Sequence, residues 1–243
     1  MNLEFDQKII HLKVVESTND FANEYIDKND KLDSFVITAD FQKSGKGQGN
    51  NIWESDEGKN LLISVVFSFK KNVFDQYDFS IISSLAVVDL LQDLDLENSK
   101  VKWPNDILIN KKKIAGVLIQ NKIKGNEIYQ SIIGLGLNVN QEEFSDFHRQ
   151  ATSLKLEKSQ LYDLKVIRDN FLKNLKCRIS KSMNQNYFDY NNSLYLKDKV
   201  STFEINGEKK VGIIKYVNKK GLLFLETDNG IKFFRMKEIS FLV

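Results

Sequence analysis

Lys102-Trp103-Pro104-Asn105-Asp106 is the stretch around which the rest of the sequence can be ordered. It contains the only proline of the 243-residue chain, one of its two tryptophans, and a lysine flanked by apolar residues. A rigid, partly apolar setting around one cation suits an anionic ligand. The same composition also fits an ordinary strand end, where the lysine reaches solvent and the proline starts a turn. Alone, the stretch favours the structural interpretation, so the other motifs of the chain decide between the two.

Composition defines the broad class of protein. With 42% hydrophobic and 28% charged residues, the chain can bury a large core in one domain, or in one large and one small domain. Its 35 basic and 33 acidic residues give a net charge of +2, which does not indicate a dedicated nucleic-acid binder. The single cysteine excludes an internal disulfide, and the sequence contains no Cys/His zinc cluster. Residues 1–20 contain neither a signal-peptide core nor a membrane span, so we expect a cytoplasmic protein without a membrane partner.

Strand and helix patterns alternate over the first half of the chain. Apolar runs and alternations predict strands at 9–15, 34–41, 61–69, 100–103, 107–109, 113–122 and 127–138. Helical spacing predicts a first helix that ends near Asn29 and a second, largely buried helix at 78–94. Turn sequences at 110–112 and 124–126 fit antiparallel hairpins. The polar, glycine-rich segment 42–60 is the longest irregular stretch in this half.

The pattern changes in the second half. From 159 to about 196, apolar residues recur at helical spacing without a glycine, which predicts one long helix and a shorter one. Short strands then follow, separated by turn sequences at 206–207, 218–221 and 228–230. This predicts a small, β-barrel-like C-terminal domain. We place the domain boundary near Tyr195, which divides the chain into domains 1–195 and 196–243.

Glycines alternate with polar residues at 45–49, a Gly-Lys-Gly-Gln-Gly segment between two predicted strands. Alternate glycines let backbone N–H groups approach a phosphate, and Lys46 adds a positive charge. The spacing matches neither the dinucleotide-binding nor the P-loop motif, and no helix follows it. A mobile surface loop is the alternative. The indole of the nearby Trp53 fits either a stacking surface for a base or a core anchor, and the anchor is favoured when the tryptophan is considered alone.

Other residues fit either a ligand site or a purely structural role. Ser17 and Thr18 are typical helix caps, but two hydroxyls at a helix N-terminus can also bond to a small polar ligand. Glycines within predicted strands leave room for a ligand or mark bulges and tight packing, and these are Gly116, Gly134 and Gly136. Asn138 fits a turn or a hydrogen bond to a nucleobase. The potential nucleophiles and bases that lack a suitable neighbour for catalysis are His11, His148 and Cys177.

In their order along the chain, these motifs resemble biotin protein ligases, also called biotin–acetyl-CoA-carboxylase ligases. The motifs are Ser17-Thr18-Asn19, Gln42 with Gly45-Lys46-Gly47-Gln48-Gly49-Asn50 and Trp53, Lys102-Trp103-Pro104-Asn105-Asp106, Lys113-Ile114-Ala115-Gly116-Val117-Leu118, and Gly134-Leu135-Gly136-Leu137-Asn138-Val139-Asn140. The resemblance implies an α+β fold in which helices flank a central mixed β-sheet, as in class II aminoacyl-tRNA synthetases. It also implies a small SH3-like β-barrel at the C-terminus.

The reaction implied by the resemblance has two steps and uses ATP, biotin and Mg²⁺. The biotin carboxylate attacks the α-phosphorus of ATP to give biotinyl-5′-AMP and pyrophosphate, and an acceptor lysine then takes the biotinyl group. No enzyme nucleophile is required, which agrees with the lack of a Ser/His or Cys/His constellation. The chemistry instead needs positive charge at the α-phosphate, a dry pocket, and closure over a mixed anhydride that water can hydrolyse.

The resemblance also implies roles for individual residues. Lys102 would stabilise charge at the biotin carboxyl group and the α-phosphate in both steps. Biotin would be bound by two sets of residues, the polar Ser17, Thr18, Asn19 and Gln42, and the glycines Gly116 and Gly134, which leave room for its body. The adenylate would be bound by Gly45, Lys46, Gly47 and Gln48 at its phosphate, with Trp53 beside the adenine and Asn138 bonded to it. No metal ligand is assigned, because Asp106 fits a turn cap as well as a magnesium ligand.

Two departures from the family pattern concern charge. Many members have Gly-Arg-Gly-Arg where this chain has Gly-Lys-Gly-Gln at 45–48, and lysine cannot reproduce a bidentate phosphate contact. We expect activity all the same, because other members also carry lysine and glutamine at these positions. The strand that begins near Lys113 often ends in glutamate in the family, where this chain has Gln120.

The expected macromolecular partner is the biotin carboxyl carrier domain of a biotin-dependent carboxylase. Some family members repress transcription through an N-terminal helix-turn-helix domain, but here the first strand begins at Ile9, so we expect no DNA binding. A homodimer is left open. The alternatives are a lipoate-protein ligase and a non-catalytic protein of the same fold that binds biotin or nucleotide. A nucleic-acid module at the C-terminus is disfavoured, because acidic residues interrupt its lysines.

Overall fold

A seven-stranded mixed sheet forms the centre of the computed structural model, which describes residues 8–29, 34–69, 74–125, 127–145 and 151–242. Its strands are β1 (Ile9–Val15), β2 (Phe35–Gln42), β3 (Leu61–Ser68), β4 (Ser99–Lys102), β5 (Asp106–Ile109), β6 (Lys112–Lys124) and β7 (Glu127–Leu137). The order across the sheet is β1-β2-β3-β7-β6-β5-β4. Only the β1–β2 pair is parallel, because a helix crosses between those strands, whereas the other pairs are antiparallel. The prediction of a central mixed sheet is confirmed.

Five helices flank this sheet in the described residues. They are α1 (Thr18–Lys28), α2 (Asp78–Asp93), α3 (Leu154–Lys158), α4 (Leu164–Ser180) and α5 (Met183–Asn192). Helix α2 is apolar on nearly every side because it packs between the sheet and the helices α4 and α5. The predicted burial of this helix is confirmed.

The C-terminal part is a second, antiparallel sheet. Its strands are β8 (Val200–Ile205), β9 (Glu208–Val217), β10 (Leu223–Thr227), β11 (Gly230–Phe234) and β12 (Ser240–Phe241), in the order β11-β10-β9-β8-β12. The predicted run of hairpins is therefore confirmed. The two end strands, β11 and β12, are not paired with each other in the described residues, so hydrogen bonds between them do not close the sheet into a barrel.

One hydrophobic core joins the two sheets. The cluster runs from β3 and α2 through Trp103 to Phe203 and Leu225 of the C-terminal sheet, and all of these apolar side chains are buried. Burying each large apolar side chain contributes about 1.5–3 kcal/mol. The C-terminal sheet therefore completes the core beside the central sheet. A smaller cluster lies beneath α1 on the other face of the central sheet and includes Ala22 and Ile132.

Part of the helix prediction at 159–196 is wrong. Residues 159–163 are not helical, and Leu161 is 70% exposed. Asp163 interrupts the helical pattern, because its carboxylate accepts a hydrogen bond from the Lys165 N–H at 2.7 Å and caps α4. The short helix α3, capped by Ser153, precedes this break and was not predicted.

Candidate active site

A cleft lies where the N-terminus of α1, the β2–β3 segment, the β4–β5 turn, strands β6 and β7 and the C-terminal sheet meet. Its volume of about 300 Å³ is in the range of small-molecule sites. The lining residues are 17–19, 42, 46–48, 51–53, 102–106, 113, 116–118, 134–136, 237 and 239–241. These include every residue given a role by the family resemblance except Gly45 and Asn138.

Hydrogen bonds fix the polar end of the cleft at the start of α1. Ser17 caps the helix with its hydroxyl, and the N–H and hydroxyl of Thr18 both donate to the Gln42 Oε1, at 2.7 and 3.0 Å. The Ser64 hydroxyl, on β3, lies 2.7 Å from the Thr18 Oγ1 and 2.6 Å from the Asn19 Oδ1. Capping and cleft lining therefore coexist, as the sequence allowed. Ser64 was not predicted, because nothing in the apolar β3 pattern marks it.

Asn19 contributes a donor that the described residues leave unsatisfied. Its side-chain Nδ2 is buried and has no hydrogen-bond partner among them, although the residue lines the cleft. A buried amide donor without a partner costs about 1–3 kcal/mol. A ligand carbonyl oxygen would remove this cost. Gly134 permits the arrangement, because a Cβ atom at that position would collide with the Asn19 side chain.

Trp53 covers the bare backbone of two strands inside the cleft. A Cβ atom at Gly136 would overlap its indole, and one at Gly116 would lie 3.1 Å from its Cζ3. The Lys113 Nζ lies 5.4 Å from the ring centroid, a cation–π distance. The indole Nε1 is buried and lacks a partner among the described residues. The space beside Gly116 therefore holds protein, so direct room for biotin at Gly116 stays a prediction.

The glycine segment folds as a small hairpin. The Gly47 N–H donates to the Asn51 carbonyl and the Trp53 N–H to the Gly45 carbonyl, both at 2.8 Å. Lys46 and Ile52 form the bridge between these bonds. The Gly47 amide is thus occupied within the hairpin, and phosphate binding by the glycine amides stays a prediction.

The tip of this hairpin touches the C-terminal sheet. The Gln48 side-chain amide donates to the Met236 sulfur, and the Cβ position of Gly49 lies 2.9 Å from the Lys237 Nζ. At the other end of the hairpin, the Lys46 Nζ pairs with the Asp20 carboxylate at 2.8 Å. These contacts close one side of the cleft.

Two cationic side chains lie near the β4–β5 turn. Lys102 is only 6% exposed, and its Nζ lies 5.1 Å from the centroid of the Phe241 ring. The Lys113 Nζ pairs with the Asp106 carboxylate at 2.7 Å. The ion pair between Lys113 and Asp106 in the cleft was not predicted from the sequence. The predicted hairpin at 110–112 was the available signal, because it folds β6 back onto β5.

The remaining sequence candidates lie apart from the cleft. Asn138 is buried and its side-chain amide donates to the Thr152 carbonyl at 3.0 Å, so its bond to adenine stays a prediction. His11, on the edge strand β1, has its Nε2 3.3 Å from an Asp40 carboxylate oxygen on β2. Cys177 is exposed on α4, and His148 lies outside the described residues.

The described ranges hold neither a metal-binding cluster nor a membrane-spanning helix. They contain no group of three or more His, Cys, Asp or Glu side chains that could hold a metal ion. They also contain no helix long and apolar enough to cross a membrane.

The fold and the cleft together define a class: an α+β protein with a mixed central sheet and a cleft of small-molecule size that four lysines line. The model of the biotin/lipoate A/B protein ligase family matches residues 11–138, more than half of the chain. This chain belongs to that family.

Individual relatives extend the likeness over nearly the full chain. The bifunctional ligase/repressor BirA of Bacillus subtilis is 27% identical over 242 residues, which cover 93% of this chain and 71% of that protein. The biotin–acetyl-CoA-carboxylase ligase of Mycobacterium tuberculosis is 28% identical over 205 residues, covering 80% of this chain and 74% of that protein. A biotin protein ligase mutant from Aquifex aeolicus, solved in complex with biotin, aligns with a TM-score of 0.78 at 25% identity, over 97% of this chain and 98% of that chain. The resemblance inferred from the motifs is confirmed.

Proposed function

We propose that this chain is a biotin protein ligase, an ATP-dependent enzyme that activates biotin as biotinyl-5′-AMP and transfers it to a lysine of a carrier domain. The observation that carries the proposal is the cleft itself. It brings together, from segments far apart in sequence, the residues to which the biotin-ligase resemblance gives roles, with the exception of Gly45 and Asn138. The relatives named for biotin ligation support the same activity.

The first step needs positive charge where two anions meet. The biotin carboxylate oxygen attacks the α-phosphorus of ATP, the bond to the bridging oxygen breaks, and pyrophosphate leaves. Four lysines line the cleft, Lys46, Lys102, Lys113 and Lys237, whereas Asp106 is the one carboxylate among its described lining residues. Lys102 is the most deeply buried of the assigned cations, so its charge acts in a low dielectric, where it stabilises the transition state most strongly. Mg²⁺ enters with the ATP phosphates as part of the substrate.

The polar end of the cleft fits the ring system of biotin. The unsatisfied Asn19 amide donates to the ring carbonyl, and the hydroxyls and amide of Ser17, Thr18 and Gln42 surround the ring N–H groups. A site built to bond such a group discriminates strongly against analogues that lack it, because buried polar atoms are then left unpaired. Lipoate has no such ring carbonyl, so this end of the cleft favours biotin.

The second step transfers the biotinyl group. The acceptor lysine amine attacks the carbonyl carbon of the mixed anhydride, AMP leaves from that carbon, and the amine loses its proton. Lys102, beside the anhydride, stabilises the charge that returns to the phosphate. By analogy with the mycobacterial relative, the acceptor is a carrier domain of an acetyl-CoA carboxylase.

Two further attributes belong to the same proposal. The C-terminal sheet corresponds to the SH3-like domain of the family, with a boundary near residue 195. The enzyme acts in the cytoplasm, where carboxylases and ATP are present. The oligomeric state is left unassigned, including the homodimer.

The experiment that tests the proposal incubates the protein with ATP, Mg²⁺, biotin and an isolated biotin carrier domain, and probes the carrier with labelled streptavidin. We expect biotinylation that depends on ATP and on the carrier lysine. Absence of biotinylation beside an active control ligase would refute the proposal. A parallel reaction with lipoate, followed by mass spectrometry of the carrier, tests the alternative substrate.

A further inference from the structure

The C-terminal sheet makes two separate contacts with the segment that contains Lys102. Phe241, on β12, lines the cleft with its ring centroid 5.1 Å from the Lys102 Nζ. The carbonyl of Gly221, in the β9–β10 turn, accepts a buried hydrogen bond from the Trp103 indole N–H at 3.0 Å. We propose that these contacts make Phe241 and Gly221 positioning residues for Lys102 in the adenylation step, an inference that rests on the proposed function.

The Phe241 ring is itself held in place. Phe241 pairs with Phe203 across β12 and β8, and the two rings meet edge to face, with centroids 5.4 Å apart and an interplanar angle of 74°. Phe203 is fully buried. A ring fixed in this way offers its electron-rich face to the ammonium group at a constant position.

The contact at Trp103 depends on the shape of the β9–β10 turn. Gly221 has φ +77°, a left-handed conformation that favours glycine. The Asn218 side chain holds the turn by accepting hydrogen bonds from the N–H groups of Lys220 and Leu222, at 2.9 and 3.0 Å. The carbonyl that receives the indole is therefore rigidly placed.

Tyr77 connects the same turn to Pro104, the residue that follows Trp103. A Cβ atom on Gly221 would lie 2.5 Å from the Tyr77 Cδ2, so the glycine packs directly on this ring. The Tyr77 hydroxyl donates to the Pro104 carbonyl at 3.3 Å. Burial raises the pKa of the Tyr77 phenol, so it remains protonated as a donor. The residues on both sides of Trp103 are thus connected, directly or through Tyr77, to the C-terminal sheet.

The adenylation step requires the Lys102 ammonium group to be held in one position, and these contacts restrict its movement. A lysine side chain has many rotamers, and a charge-stabilising group must stay within about 0.5 Å of its productive position. The Phe241 face restricts the ammonium group, and the Gly221 carbonyl restricts the backbone beside it. Loss of either contact is therefore expected to widen the range of positions that the Lys102 ammonium group samples.

The test measures biotin-dependent ATP–pyrophosphate exchange together with the melting temperature. Phe241→Leu removes the ring and retains an apolar side chain, and we expect kcat to fall about tenfold, with the KM for biotin changed less than threefold. Phe241→Tyr, which keeps the ring, should recover most of this loss. Trp103→Phe, which removes the indole donor and leaves a smaller aromatic ring in its place, should lower kcat about fivefold. The control is Phe233→Leu, an exposed ring on β11 outside the cleft lining.

The outcomes separate this inference from the proposed function. If the unmodified protein shows no exchange, the proposed function fails. If it is active and Phe241→Leu exchanges at the same rate, or if Phe241→Tyr is as impaired as Phe241→Leu, the positioning role is refuted. A loss of activity that simply follows the fall in melting temperature across all variants would also overturn it. If Phe241→Leu does not fold, Phe241→Met makes the same comparison.

Discussion

Lys46 and Gln48 stand where many family members carry arginine. In this chain their side chains hold the glycine hairpin in place. Lys46 pairs with Asp20 on α1, and Gln48 bonds to Met236 on the C-terminal side. Because the Lys46 pair is half-exposed, its contribution to stability is small, and phosphate oxygens can compete for the lysine. We therefore expect Lys46 and Gln48 to give a weaker phosphate contact than the bidentate contact that arginines would provide.

Asn19 provides the most specific prediction for biotin recognition. Asn19→Ala removes the unsatisfied donor, and we expect the KM for biotin to rise by at least tenfold while the KM for ATP changes little. Steady-state exchange kinetics measure both constants. The matched control is Asn23→Ala, one turn further along α1, where the side chain bonds to Gln120 outside the cleft lining. An unchanged KM for biotin in Asn19→Ala would remove this residue from the site.

The glycine hairpin is the element expected to respond to ligand. It covers one side of the cleft through contacts that are few and exposed, whereas an adenylate beneath it would add charge contacts to Lys46. We expect biotin plus ATP to slow tryptic cleavage after Lys43 and Lys46, as measured by mass spectrometry of timed digests. Cleavage at Lys209, in the β8–β9 hairpin, is the internal control. Equal rates at residues 43–51 with and without ligand would contradict a closing hairpin.

A buried ion network joins three helices behind the sheet. The Arg178 guanidinium binds both Asp89 oxygens, at 2.5 and 2.6 Å, and an Asp189 oxygen at 2.5 Å. We expect Arg178→Met to lower the free energy of unfolding by about 3 kcal/mol, because it leaves two partly buried carboxylates without their cationic partner. Urea unfolding followed by circular dichroism measures this change. A loss under 1 kcal/mol would show that the helices pack without the network.

The same network predicts an acid dependence. Burial acts to raise the pKa of Asp189, but the hydrogen bonds and charge of Arg178 outweigh it, so the pKa is lowered. A carboxyl group with a lowered pKa stabilises the fold at pH values above its unfolded pKa, and this stabilisation is lost as the pH falls through the folded pKa. The loss is therefore expected below about pH 4. Asp189→Asn should be less stable at neutral pH and should show a flatter decline on acidification.

The two sheets share one hydrophobic core. Features that depend on local sequence could be predicted, whereas features that depend on contact between the sheets could not. Local periodicity predicted the seven strands of the central sheet, the first two helices and the C-terminal hairpins, because each depends on neighbouring residues. The helical spacing gave a wrong prediction at Leu161, because the Asp163 side chain caps the N-terminus of α4 and the helix begins only after it. The contribution of Lys237 and Phe241 to the cleft lining was not predicted, because these residues reach the cleft only when the C-terminal sheet packs against the central sheet. The position of Trp53 over Gly136 was not predicted either, because it arises when the segment between β2 and β3 packs onto β7.

We propose that Lys102, held in a cleft shared by both sheets, stabilises the charge that develops when ATP activates biotin. The most direct measurement is biotin-dependent ATP–pyrophosphate exchange by the unmodified protein, by Lys102→Ala, and by the control Lys100→Ala, an exposed lysine two residues earlier. We predict exchange in the unmodified protein and the control, and a loss on the order of 10²-fold or more in Lys102→Ala. Near-normal exchange in folded Lys102→Ala, or no exchange in the unmodified protein, would contradict the account.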